Sequence, residues 1–374
     1  MATPLRTAEW PVDAAAQRGM ATRFIIAQDA RWVQDVVYSA RKSREASAYT
    51  ALLLGHHFVR IAYEGAAAIR SGNPQVGIPV LADILKERFQ SITARARHMA
   101  KLLDDKKKTN EDILAAIELA LERMRGVFTG RVPRWLRWME TDLGIYQIGH
   151  SIVGTSISAA YRLGLDGANE RSMFGEAISD VTDEWASTMA VLMGADLQLP
   201  EPQASLHLSA HKVIGKNRRS DRFLASRYEP KFPDRLKLLL LMIEGDLNCT
   251  RLFLPQTAKG HEDSVFRARV VTLYHSLTAL KEVSKRHLSL DSSAMRNIRV
   301  LLESESTQRL LSQGGTRIRN RCMHYEIPKS VIPIDPDRPF FGIVEAVYPG
   351  ATFEGFDRDV ADVTERLAKV FSTW

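Results

Sequence analysis

Residues 314–327 read GGTRIRNRCMHYEI, and the reading of this stretch decides the rest of the chain. Gly314 and Gly315 break any helix that precedes them, and Pro328 closes the segment. Between them Arg317, Arg319 and Arg321 crowd around Asn320 and His324. If the segment is helical, Arg317, Asn320, Arg321 and His324 fall at i, i+3, i+4 and i+7 and share one face, too polar for a core. Like charge from the guanidinium groups disfavours an imidazolium, so this pattern predicts a neutral ring able to take a proton. Guanidinium forks bind phosphate oxygens and histidine moves protons near neutral pH, so the segment suits phosphodiester chemistry.

Arg319, followed at once by the polar Asn320 and then, after three more residues, by His324, resembles the arginine-to-histidine motif of the HEPN superfamily. The resemblance covers roughly residues 234–374 and implies an up-and-down helical bundle that dimerises, with the motifs of two subunits facing a shared cleft. Many such proteins are metal-independent RNases. By this resemblance His324 is the acid/base residue, Arg319 holds the phosphate and Asn320 orients the site, with RNA as partner and no cofactor or metal. On an ideal helix Arg319 and His324 lie roughly 140° apart, so Arg317 and Arg321 share the histidine's face more naturally and remain candidate RNA-binding residues. A basic surface helix whose histidine only packs or caps is the bland alternative.

The rest of the chain bounds the setting. Its 374 residues suggest two domains, each able to bury a core. A net charge of +7 and an isoelectric point near 9.4 favour anionic partners, nucleic acid first. Two isolated cysteines, Cys249 and Cys322, point neither to a disulfide framework nor to a zinc site, and fit a reducing cytoplasm. Cys322 is expected to pack opposite His324. The first residues lack an unbroken apolar run of signal-peptide length, and residues 143–165, the most hydrophobic long segment, carry Gln147, His150 and Arg162. No membrane association is expected; with Gly144, Gly149 and Gly154, that segment reads as a buried, closely packed helix.

Helical periodicity marks further helices at 29–46, 48–69, 80–103 and 174–193, and Thr109 with Asp112 forms a capping box ahead of an apolar stripe from Ile113 to Phe128. His56 and His57 point about 100° apart on a helix and are expected at the edge of a core. In residues 131–140 arginines alternate with Trp135 and Trp138; base stacking is one reading, and tryptophans entering the core is the expected one. Between Lys212 and Lys237 nine Lys and Arg face three acidic residues, a local excess of +6. Arg218, Arg219 and Arg222, interleaved with aromatic residues there, are candidate RNA contacts.

Together these patterns predict an all-α protein. It comprises an N-terminal helical domain (1–195) with a sensor or regulatory role, a basic, Pro-containing linker (196–233) and a HEPN-like helical bundle (234–374). The expected activity is that of a metal-independent endoribonuclease, by analogy a toxin or phage-defence effector whose N-terminal domain answers to a regulatory protein or phage trigger. The rival is a catalytically inactive module of the same type that binds RNA, nucleotide or a protein. Cleavage needs an acid and a base, and His275 and His287 lie on another expected helix. A homodimer therefore supplies the second His324, failing which Tyr325 and Glu326 are the next candidates.

Overall fold

The computed structural model describes residues 10–42, 44–71, 109–130, 133–163, 212–286, 292–329 and 334–374, together with Met189, Leu192, Leu206 and Leu208. The helix expected at 80–103 lies outside these residues, and of that expected at 174–193 only Met189 and Leu192 are described, both helical and buried. The fold is mostly α-helical, with twelve α-helices and a three-stranded sheet among the described residues.

Its centre is α6 (Asp234–Asn248), where apolar residues surround the axis, so the helix is buried on every side from Leu236 onward. Against it pack α3 (Asn110–Phe128), α7 (Glu262–Arg286) and α12 (Phe353–Ser372), and in the same core α1 (Ala14–Lys42) packs on α2 (Arg44–Ser71). The Thr109 capping box opens α3 as expected: Asp112 N–H donates to Thr109 Oγ1 at 3.2 Å and Thr109 N–H to Asp112 Oδ2 at 2.9 Å. One cluster of buried side chains runs from Ala21, Trp32 and Leu54 through Leu239 and Leu277 to Phe371. Residues of the expected N-terminal domain thus share a core with residues 234–374. Trp32 Nε1–H donates to Thr257 Oγ1 at 3.0 Å inside it.

Residues 143–165 do not form one helix. They fold as β1 (Leu143–Ile148), a two-residue turn, β2 (Ser151–Thr155) and α4 (Ser156–Leu163). The β-branched and aromatic residues Ile145, Tyr146, Ile148, Ile152 and Val153 favour strands, and Gly149 supplies the positive φ of 60° that a two-residue hairpin loop needs. Gly154 serves a close approach as expected, but from a strand: a Cβ on Gly245 of α6 would lie 3.2 Å from Gly154 Cα.

Part of the expected linker is sheet and helix instead. β3 (Val213–Arg218) pairs antiparallel with β1, Leu143 opposite Arg218 and Ile148 opposite Val213, in the order β2-β1-β3. α5 (Ser220–Ser226) follows, its first residue tied to Asp142, which accepts from Ser220 N–H at 2.7 Å. Trp135 and Trp138, on a 3₁₀ turn (Arg134–Met139), are 74% and 61% exposed rather than in the core.

α8 (Ser293–Glu303) and α9 (Glu305–Leu311) are parted at the extended Ser304, and α10 (Gln313–Met323) carries the motif. A 3₁₀ turn (Pro339–Gly342) with positive φ at Phe340, Phe341 and Gly342 leads into α11 (Ile343–Val347). Glu282 and Lys285 form a surface pair at 2.9 Å. Among the described residues no helix is long and apolar enough to cross a membrane.

Candidate active site

The motif helix begins one residue earlier than its glycines suggest. Ser312 caps α10, its Oγ accepting from Gly315 N–H at 3.1 Å, and both glycines lie in the first turn. They are there for space: a Cβ on Gly314 would meet the Tyr348 ring at 2.4 Å, and one on Gly315 the Leu310 carbonyl at 2.1 Å. The chain passes between neighbours that exclude even a methyl group.

α10 ends at Met323, and His324 is already extended, with φ −113° and ψ 136°. The expected face of Arg317, Asn320, Arg321 and His324 therefore stops short of the histidine. Arg317 is exposed, and Arg321 turns back to donate to the Glu326 carbonyl. His324 swings to α2, where its Nδ1 lies 2.7 Å from Glu64 Oε2. Its neighbour is a carboxylate and not the guanidinium cluster that the spacing implied. An ionised carboxylate only accepts, so Nδ1 carries the proton of the neutral ring and Nε2 keeps its lone pair. The His324 side chain is 47% exposed and that of Glu64 only 8%.

Arg319 goes inward. Its Nη1 donates to Asn320 Oδ1 at 3.1 Å, its Nη2 donates to His275 Nε2 at 3.1 Å, and the guanidinium carbon sits 4.9 Å from the centre of the Tyr274 ring. Because guanidinium cannot accept, His275 Nε2 is the acceptor, which makes this ring neutral with its proton on Nδ1. The structure thus brings Arg319, Asn320, His275 and Tyr274 together, and His324 with Glu64.

One turn of α2 supports both groups. Arg60, four residues before Glu64, donates from Nη1 to the Cys322 carbonyl at 2.7 Å, so successive turns of α2 hold the two sides of the end of α10. Beneath lies a buried ion network: Asp29 receives Arg267, Arg60 at 3.5 Å and the Tyr325 hydroxyl at 2.6 Å. Burial alone would raise the Asp29 carboxyl, but Arg267 and Arg60 outweigh it and hold it below the usual carboxylate range. Burial, with Asp29 adding to it, pushes the Tyr325 phenol well above its ordinary value. Tyr325 is therefore a structural donor and not an acid available to substrate. Cys322 packs as expected, its thiol pushed up to about 12 by burial.

Beside His275 opens a small pocket lined by His56, His57 and Arg60 of α2, Arg162 of α4, Asp246 of α6 and Thr272 of α7, with Met323 at its edge. Burial, and after it the charge of neighbouring His57, Arg162 and Arg60, holds the two adjacent histidines well below their ordinary range. His57 is buried and His56 half-buried, as residues at the edge of a core are expected to be. Among the described residues no group of three or more His, Cys, Asp or Glu is arranged to hold a metal ion.

Arg218, Arg219 and Arg222 stand elsewhere, on β3 and α5. Arg218 and Arg222 are exposed, and Arg219 pairs with Asp221 at 2.6 Å. Sequence reasoning missed Glu64 and set His275 aside as lying on another helix; the available signal for Glu64 was its i, i+4 spacing from Arg60 within α2. Comparison with known proteins identifies no relative: no protein family, curated protein or solved structure matches the chain.

Proposed function

We propose that the chain is a metal-independent endoribonuclease of HEPN type, with His324 as its acid/base residue. The observation that carries this reading is the Glu64–His324 pair: a buried carboxylate 2.7 Å from Nδ1 of a half-exposed imidazole leaves Nε2 as the reactive nitrogen. In the proposed reaction Nε2 takes the ribose 2′-hydroxyl proton, the 2′-oxygen attacks phosphorus, and the P–O5′ bond breaks as the leaving oxygen gains a proton. The products are a 2′,3′-cyclic phosphate and a 5′-hydroxyl. Arg319, held by Asn320 and stacked on Tyr274, stabilises the charge of the phosphorane, and Arg317 supplies an exposed cation for the strand.

The proton for the leaving oxygen comes from His324 of a second subunit in a two-fold dimer, since His275 is buried and engaged with Arg319. Glu64 lies within residues 1–195, so the part of the chain proposed to sense a trigger, as in a toxin or phage-defence protein, also contributes a side chain to the site. Incubation of the full chain with RNA in the presence of a chelator tests the proposal. Cyclic-phosphate products from the native chain and none from His324→Ala are expected; equal cleavage by both excludes it.

A further inference from the structure

We infer that the outer edge of β3 is a docking site for an extended, acidic segment of a partner protein, which adds to the sheet as a fourth strand. The first ground is the edge itself. In the order β2-β1-β3 both outer strands have a free side, but their surroundings differ. β2 is buried from Ile152 to Thr155 and packs on α6. β3 is exposed on both faces from Ile214 to Arg218. Among the described residues nothing hydrogen-bonds to its side away from β1, so N–H and C=O groups point outward at every second residue.

The second ground is charge. Ile214, Lys216 and Arg218 stand at i, i+2 and i+4 and share one face of the strand. Residues 212–218 contain no acidic residue, and Lys216 and Arg218 enter no ion pair among the described residues, whereas Asp221 already holds Arg219. Asp142, beside the end of the strand, is engaged by Ser220 and Arg125. A second copy of β3 would set cations against cations, which opposes self-pairing. An extended segment with acidic residues facing Lys216 and Arg218 and an apolar one facing Ile214 matches the whole face. A nucleic-acid strand meets the cations but does not pair with a ladder of alternating N–H and C=O groups, which an extended peptide completes.

The third ground is apolar surface at the Arg218 end. Asp142 N–H donates to the Arg218 carbonyl at 3.1 Å, and Met139 comes three residues before Asp142, so at most about 11 Å of chain separates them. There Trp135, Trp138 and Met139 are all exposed, and the two tryptophans, at i and i+3 of a 3₁₀ turn, lie on one side. Indoles left in water beside a free strand edge are anchors for an apolar residue next to the paired strand. The edge is also apart from the proposed cleavage site. A Cβ on Gly215 would lie 3.1 Å from the Tyr49 hydroxyl of α2, whereas His324 meets the same helix at Glu64, roughly 22 Å farther along it. Docking at β3 therefore stands with or without nuclease activity.

The test is fluorescence anisotropy of the full chain with labelled peptides of alternating Val-Glu and, separately, Val-Lys sequence, beside a labelled oligouridylate, at constant ionic strength. Saturable binding of the Val-Glu peptide is expected, at least about tenfold tighter than that of Val-Lys. Methylating the backbone nitrogens along one edge of the peptide should abolish binding, and along the other edge should leave it intact, a signature of strand addition that charge attraction alone does not give. Lys216→Glu/Arg218→Glu should reverse the preference toward Val-Lys. A leucine added to one end of the Val-Glu peptide should tighten binding to the native chain and not to Trp135→Ala/Trp138→Ala. No saturable binding of Val-Glu, equal effects of methylation on both edges, an unchanged preference in the charge-reversed variant, or binding of the oligouridylate alone overturns the inference.

Discussion

Glu64 holds His324 across 260 residues of chain, its Oε2 2.7 Å from the ring's Nδ1, and so joins the second helix of the protein to the end of the motif helix. If that contact positions a working imidazole, the two residues act as a unit. His324→Ala should lower RNA cleavage by about 10²- to 10⁴-fold. Glu64→Gln, which keeps the shape and loses the charge, should lower kcat with little change in KM and little change in Tm. Cleavage kinetics beside thermal melts check this; an unchanged kcat in Glu64→Gln would reduce the contact to packing.

Asp29 lies at 0% exposure among Arg60, Arg267 and Tyr325, and its removal leaves guanidiniums buried without their counter-charge. Asp29→Ala should destabilise the fold by about 3–5 kcal/mol, measured by urea denaturation. Because the folded carboxyl is held below its ordinary value, its stabilisation is present above the unfolded value of about 3.9 and is lost as pH falls through the folded one. A denaturation series from pH 5 to pH 2 should show that loss in the native chain and a shallower slope in Asp29→Asn.

His56 and His57 give an earlier step on the acid side. Facing them are His275, Arg60, Arg162 and Asp246, with Asp29 nearby, and burial first, then the positive neighbours, holds both rings neutral in the folded state. The unfolded chain takes up these protons near 6.5 and the folded chain only at lower pH, so stability is present above 6.5 and declines below it. Urea midpoints between pH 7.5 and 5 should fall in the native chain and stay flatter in the double variant His56→Gln/His57→Gln.

Arg218, Arg219 and Arg222 offer a separate test of RNA contact. Each phosphate contact by a single strand contributes about −0.7 to the slope of log K against log salt. Neutralising the three should flatten that slope, with Arg218 and Arg222 responsible for more of it than Arg219, which Asp221 already engages. An unchanged slope would leave this basic edge without a role in RNA binding.

The helical class was legible because the apolar stripes repeat at helical spacing, as in α3 and α12, and because a capping box is a local signal. Residues 143–165 misled because glycines and small residues suit a tightly packed helix as well as a hairpin, and only the pairing with Val213–Arg218, 65–75 residues on, decides between them. The motif residues were visible, but their geometry was not. His324 leaves the helical wheel once α10 ends at Met323, and nothing near either residue in sequence joins Glu64 to His324 or His275 to Arg319. The exposed Trp135 and Trp138 reversed the reading of an amphipathic helix start, since a 3₁₀ turn does not carry the same stripe.

A helix without a solvent face sets the timetable of biogenesis. α6 leaves the ribosome as a run of leucines whose covering partners include α7 and α12, the latter synthesised about a hundred residues later. Phe371 is fully buried and Trp374 Nε1–H donates to Glu229 Oε1 at 3.2 Å, so these closing contacts come from residues made well after α6. Until then the nascent polypeptide displays an apolar rod, the kind of surface that favours aggregation before folding is complete. Glu64 and His324 are both made before α12, but the core that holds their helices together closes only after synthesis reaches it.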